Sequence, residues 1–477
     1  MPKYPIYKPS GFYRNSETAI ADRQLQVALS RTTAKFLENR AAAVAEFPRF
    51  EGARESASRT RQEALDNLDA HLARFITEAR KRGAVVHAAR DGPEAREIAA
   101  RIAKEEGVSL AVKSKSMIAE EVGLNGALEA DGVEVVETDL GEYIIQLAGE
   151  PPSHIIAPAI HKTREDVSRL FEEKLGEPYT EEIPALTRIA RRRLRDKFFS
   201  AQMGISGANF LCADTGSVVL VTNEGNGRMV ATLPRVHMVI AGIDKVIPRL
   251  ADLPVLLSLL PRSATGQALS SYVSVLTGAK RPGDAEGPER LHIILLDNGR
   301  TGILQGKYRE ILKCIRCGAC LNVCPVFQSV GGHAYGWVYP GPVGSVLTPL
   351  LLGLPESSPL PDASTLCGAC EEVCPVKIPL PGMLVELRAD GRAQGLKSPA
   401  EVLGMKVYAA VMSRAGILEA VQRMAGVLSQ LLFKERKVEW LPFRLSGWTE
   451  RRDFPAPAPQ PFRKLWKKQR GIRPWTR

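Results

Sequence analysis

The sequence predicts an α/β domain followed by a small α-helical domain built on two cysteine runs, with helical segments before and after them. Three observations carry this. From residue 84 onward, short β-rich runs alternate with helical ones, the pattern of a sheet covered by helices. Between 203 and 300, strand-like runs crowd together and end on Gly, Asn and Asp. Seven of the chain's eight cysteines then fall between 314 and 374. A chain of 477 residues has room for about two to four domains. Its 44% hydrophobic and 25% charged residues are ordinary for a globular protein.

In chain order, residues 1–83 form an N-terminal helical segment. "NSETAIADRQLQVALSRTTAKFLENRAAAVAEF" and "EGARESASRTRQEALDNLDAHLARFITEARKRG" predict one or two helices, separated at "FPRFEG" and closed by Gly83. The α/β domain spans 84–302. "AVVHAA", "SLAVKSK", "VEVVETD" and "SHIIAP" read as strands, and "GPEAREIAARIAKEEG", "TREDVSRLFEEKLG" and "EEIPALTRIARRRLRDKFFSAQ" as helices. The last helix carries Arg191, Arg192, Arg193, Arg195 and Lys197, read as a solvated face and not as a nucleic-acid patch. "GANFLCADTG", "SVVLVTNEGN", "VHMVIAGIDKVI", "SSYVSVLTG" and "LHIILLDNG" supply further strands.

Open α/β sheets bind ligands at such strand ends. The candidates are Asp214–Ser217, Asn223–Asn226 (with Glu224) and Asp297–Arg300, although the same residue types also form plain turns. No GxGxxG follows a strand and no Walker A run is present, so a standard dinucleotide or P-loop site is not expected. Cys212, inside "FLCADT", is expected to be a small buried apolar group. His154, His161, His237 and His292 stand at no metal-ligand spacing and are expected to be hydrogen-bonded core groups.

The helical domain, 303–395, centres on "CIRCGACLNVCP" and "LCGACEEVCP". The first run is C-x2-C-x2-C-x3-C-P, by which ferredoxins hold cubane iron–sulfur clusters. The second repeats its last three cysteines and has Ser364 where a fourth would fall. Thiolates three residues apart on a tight loop reach several corners of one cubane. The cysteine before proline points away and ligates the other cluster. By that rule Cys314, Cys317, Cys320 and Cys374 hold cluster 1, and Cys324, Cys367 and Cys370 hold cluster 2. Cluster 2 is then a [4Fe-4S] group with a non-cysteine fourth ligand, or a [3Fe-4S] group. Disulfides and structural zinc fit this spacing less well.

Between the runs lies a Gly/Pro-rich stretch with His333, Tyr335, Trp337 and Tyr339, read as a loop that shields a cluster from water. Residues 396–477 form a C-terminal helical region with a Pro-rich, basic tail carrying Trp466 and Trp475. The last 44 residues hold 13 Lys/Arg and 4 Asp/Glu, most of the chain's net charge of +11. That tail suits an acidic partner or an anionic membrane surface. With no apolar run at its start and none long enough to span a membrane, the chain is expected to be cytoplasmic.

Long stretches of the chain resemble the lactate utilization protein B family. They include "GEYIIQLAGEPPSHIIAPAIHK", "MGISGANFLCADTGSVVLVTNEGN", "LPRVHMVIAGIDKV", "LDNGR" and "GGHAYGWVYPGPVGSVLTPLL", together with both cysteine runs. The resemblance implies a lactate-utilization α/β domain similar to the sugar-phosphate isomerase and coenzyme A transferase superfold. It implies two clusters on the ligands above, three cysteines serving the second. It further implies an electron-transfer subunit of a complex that oxidises L-lactate to pyruvate without nicotinamide, so that lactate serves as a carbon source. Other subunits and an unidentified electron acceptor would be the partners, with no nucleic acid. No catalytic residues emerge from the sequence. Two further readings are an α/β enzyme for phosphorylated or acyl substrates using Glu224 with structural clusters, and an iron–sulfur redox sensor.

Overall fold

The computed structural model describes residues 7–432, 437–441, 446, 447, 449 and 453–470. Trp475 of the basic tail lies outside them. The chain divides into two compact units, residues 1–391 and 392–477.

The first unit is organised on a six-stranded parallel sheet. Among its described residues ten strands appear in chain order: β1 (Ala84–Ala89), β2 (Leu110–Lys113), β3 (Glu134–Glu137), β4 (Met203–Ser206), β5 (Phe210–Cys212), β6 (Ser217–Thr222), β7 (Val236–Gly242), β8 (Val246–Ile247), β9 (Tyr272–Leu276) and β10 (Arg290–Leu296). The sheet runs β1-β10-β7-β4-β2-β3, and a smaller sheet runs β8-β5-β6-β9. All pairings in the large sheet are parallel.

Its central strands are buried on both faces, as parallel sheets require. Along β7, Met238 and Ile240 enter the core formed with Ile98, Ile102 and Leu128. Val239 and Ala241, pointing the other way, join Phe75, Leu211 and Val218. A third core packs Phe171, Leu186 and Leu194 on Val112 and Val136. β4 admits only glycine at 204, where a Cβ would lie 1.8 Å from the Val230 carbonyl oxygen.

Several expectations need correction. The N-terminal segment holds four helices, Phe12–Ala21, Arg23–Ala45, Phe50–Asp66 and Leu68–Lys81, instead of one or two. Asp22 interrupts the first pair, its side chain accepting from Leu25 N–H as an N-cap. "SHIIAP" is not a strand: His154 Nδ1 accepts from the amides of Ile156 (3.1 Å) and Ala157 (3.2 Å), and that local bonding replaces a ladder. The stretch between the cysteine runs is not merely a loop. It contains the helices Pro325–Val330, Gly341–Leu352 and Leu354–Ser357. The basic face of helix Ile183–Ser200 is exposed, with Arg192 and Arg193 paired to Glu177.

The second unit contains helices Pro399–Met412, Ala415–Leu432 and Phe462–Arg470 and a short strand pair. No described helix is long and apolar enough to cross a membrane.

A buried histidine makes the first unit sensitive to acid. His237, in β7, is 1% exposed and lies 2.9 Å from Ser206 Oγ. Burial holds its pKa down, to about 4. The unfolded imidazole titrates near about 6.5, so protons bind the unfolded chain first. The stability from neutral His237 is present above that pH and is lost as pH falls toward 4, at about 1.4 kcal/mol per unit. Unfolding midpoints between pH 7 and 5 should therefore fall more steeply in the parent chain than in His237→Gln.

Candidate functional site

The two cysteine runs adopt the same backbone. Arg316 and Leu366, each immediately before a cysteine, are left-handed at φ 59° and 54°. Gly318 and Gly368 follow at 75° and 86° and open the short helices Ala319–Asn322 and Ala369–Glu372. A left-handed residue on either side of a cysteine curls the chain, so its sulfur and the neighbouring amides face one centre. Arg316 N–H donates to Cys314 Sγ (3.4 Å) and Ile378 N–H to Cys374 Sγ (3.3 Å).

The N-terminal helices fix these runs to the sheet. Buried Arg61 donates to the carbonyls of Val246 (2.6 Å) and Asp244 on the sheet side, and of Leu312 (2.8 Å) and Lys313 (3.2 Å) on the cysteine side. Arg54 donates to the carbonyls of Glu372 (2.8 Å) and Cys374 (2.8 Å). Arginine's fork suits this role, since each guanidinium reaches several carbonyls without needing an acid.

The seven thiols fall into two electrostatic neighbourhoods. Cys317 and Cys320 lie in the fields of Cys314 and Cys374. Cys324 lies in the field of Cys367, and Cys370 in those of Cys324 and Cys367. Burial pushes up the thiols of Cys317, Cys320, Cys324 and Cys374, and that of Cys370 to about 12. Exposed Cys367 is held lower by hydrogen bonds from Thr365 and the Ala369 amide. Crowded, buried thiols are poor places for bare negative charge and good ones for thiolates bound to iron.

A second observation fits iron–sulfur groups. Tyr335 is buried within the fields of Cys324 and Cys320, one thiol from each neighbourhood. Its hydroxyl has no hydrogen-bond partner among the described residues. A buried hydroxyl without a partner beside both thiol groups fits an acceptor that the protein's own side chains do not supply. His333 and Tyr339 are buried as well, while Trp337 is half-buried. Ser364 lies near the second group, its hydroxyl accepting from Leu366 N–H (3.1 Å).

The strand-end candidates separate. A cavity of about 600 Å³ opens at the C-terminal edge of the large sheet. Asn223, Glu224, Asn226 and Arg300 line it, and so do Ile315, Arg316 and Cys317 of the first run. Asp214–Ser217 lie elsewhere, in the β5–β6 turn, where Gly216 packs on the backbone of Glu78 and Ala79. Asn298 acts indirectly: it donates to Glu121 (2.7 Å), which receives two bonds from Arg300 (2.9 and 2.8 Å). Burial raises the Glu224 carboxyl, and nearby Asp139 adds to it. Cys212 is fully buried, as expected of a core residue.

Lys115, Lys245 and Arg316 also line this cavity, and sequence reasoning did not single them out. Only the fold brings them together, since they follow β2, follow β7 and interrupt the first cysteine run. The four histidines are hydrogen-bonded as expected, and the fold also brings Glu150, His161 and His333 together, their ligand atoms within 4.8 Å of one another. They are distant in sequence, so spacing could not reveal them. Lys162 Nζ, 2.5 Å from Glu150, already supplies that carboxylate with a cation.

This constellation, an α/β domain with two cysteine runs, the first of which walls part of its cavity, defines an iron–sulfur protein. Family comparisons agree: the LUD domain matches residues 72–296, the 4Fe-4S dicluster domain 310–378, and the lactate utilisation protein B C-terminal family 388–471. Lactate utilization protein B of Bacillus subtilis (strain 168) is 42% identical over 95% of this chain and 95% of its own length. The Bacillus licheniformis protein of that name is 43% identical over 93% of each. The chain belongs to the lactate utilization protein B family.

Proposed function

We propose that the chain is an electron-carrying iron–sulfur subunit in L-lactate oxidation. What supports this reading is that Cys317 and Cys320 lie in the fields of Cys314 and Cys374, and Cys324 and Cys370 in that of Cys367. Cys314, Cys317, Cys320 and Cys374 would hold the first cluster, and Cys324, Cys367 and Cys370 the second. Bound there, two [4Fe-4S] groups supply reversible one-electron transfer, the second having a non-cysteine fourth ligand or being [3Fe-4S].

The protein's own part is positioning. Arg61 and Arg54 hold both runs to the N-terminal helices. Buried Tyr335, beside both thiol groups, would keep water from them. Exposed Cys367 gives the second group an edge at the surface, where an electron can pass to a partner. Helix Pro399–Met412 exposes Leu403, Met405, Val407 and Tyr408, an apolar set that another subunit of a lactate-oxidising complex would cover. Lactate gives up two electrons and each cluster carries one, so two clusters suit the task.

The test is lactate-dependent reduction of an acceptor by the purified complex, with iron content and electron paramagnetic resonance of the same samples. Cys314→Ala is expected to lose one signal and the electron flow together. Wild-type rates in that variant would overturn the relay. Signals that bleach irreversibly on one redox cycle would favour a sensor.

A further inference from the structure

The cavity beside the first cysteine run contains cations that the chain does not fully neutralise. Its volume of about 600 Å³ lies within the range of ligand sites. Its position, outside the carboxyl ends of parallel strands, is where open α/β sheets take ligands. Much of its wall is aliphatic, including Ile118, Leu140, Ile144, Ile156 and Leu260. Its cations are Lys115 after β2, which lies 3.4 Å from Glu142, Lys245 after β7, and Arg316 inside the first run.

Lys245 lines the cavity, and among the described residues its ammonium makes no hydrogen bond or ion pair. Arg316 also lines it, and its Nη1 is buried with no hydrogen-bond partner. The Arg316 guanidinium lies over the Tyr339 ring at 5.0 Å, with Nη2 3.8 Å from Asp244. That carboxylate is already engaged by Arg300 at 2.8 Å. Asp244 thus faces two guanidiniums, of which Arg300 also has Glu121 (2.8 Å), while Lys245 stands beside them without an acceptor among the described residues. A buried donor left this way, as Arg316 Nη1 is, is costly, and an anion in the cavity would satisfy it together with the half-buried ammonium of Lys245.

We propose that this cavity binds a small organic carboxylate, its anionic group between Lys245 Nζ and Arg316 Nη1 and its apolar part along the aliphatic wall, in contact with Cys317. A monoanion fits better than a phosphate. Asp139 and Glu224 line the same cavity and would repel a second negative charge. The site lies beside the first thiol group, so the inference deepens the relay reading and rests on it for the choice of acids tested.

The experiment is isothermal titration calorimetry of anaerobically purified full-length protein with L-lactate, pyruvate or inorganic phosphate. Saturable binding of one carboxylate at one site per chain is expected, weakened at least about tenfold by Lys245→Met with iron content unchanged. Should Lys245→Met not fold, Ser270→Trp, which narrows the same cavity from a half-buried wall position, decides in its place. No saturable binding of either acid, binding of phosphate alone, or undiminished affinity in the deciding variant would overturn the proposal. Iron content and spectra from the same samples separate the two readings. Intact reducible clusters without carboxylate binding sink only the site, and absent clusters sink the relay.

Discussion

Cys374→Ala is expected to abolish the same cluster signal as Cys320→Ala, although Cys374 belongs to the other run. Cys324→Ala should abolish the signal lost in Cys370→Ala. Each replacement should lower bound iron by about half, the share of one of two clusters. The reason is the position of the last cysteine in each run. Cys374 follows the helical turn Ala369–Glu372 and lies in the field of Cys314, while Cys324 follows Ala319–Asn322 and lies in that of Cys367. If each run instead held its own cluster, Cys374→Ala would match Cys370→Ala. Electron paramagnetic resonance of the four reduced variants distinguishes the crossed arrangement from the uncrossed one.

Much of this centre was legible because its chemistry is local. Cysteine spacing reports ligand reach within a run, and the proline after each last cysteine marks where the chain turns away. The strands were legible where apolar runs were continuous, as in β7 and β10, because burial on both faces leaves no alternation to interpret. β4 escaped notice because "MGIS" is short and contains Gly204, a weak strand former that is needed here for close approach to Val230. The helix Gly341–Leu352 was hidden by Pro349 and by flanking Gly and Pro, ordinarily signs of a loop. Tertiary burial overrides those signals, with Val343, Val346 and Leu347 all in the core. Lys245 and Arg316 were not legible at all. Nothing in "GIDKV" or "CIRCG" records that a lysine after one strand and an arginine between two cysteines will face the same cavity.

The network behind that cavity predicts the largest loss of stability. Arg300 is 2% exposed and bonds Asp244 at 2.8 Å and Glu121 at 2.9 and 2.8 Å. Glu121 accepts in addition from Asn298 (2.7 Å) and Tyr339 (2.7 Å). Burial alone would raise both acids, but Arg300 reverses the balance and holds each below the usual carboxylate range. Arg300→Met keeps much of the volume and removes the charge, leaving two buried carboxylates against weaker partners. A loss of about 3–5 kcal/mol is expected, read as a lower unfolding midpoint at pH 7. The pH dependence should also change sign. In the parent chain the depressed Asp244 and Glu121 stabilise above about pH 4 and lose that contribution as pH falls through their folded values. Without Arg300, buried Glu121 keeps no charged partner and its folded value rises above the unfolded one, so protonation favours the folded state and the deficit narrows as pH falls from 7 toward 5. A deficit independent of pH would mean that lost packing, and not unpaired charge, dominates. Glu121→Gln should cost less than Arg300→Met, because the amide oxygen still accepts from Asn298 or Tyr339 and only one ion pair is lost.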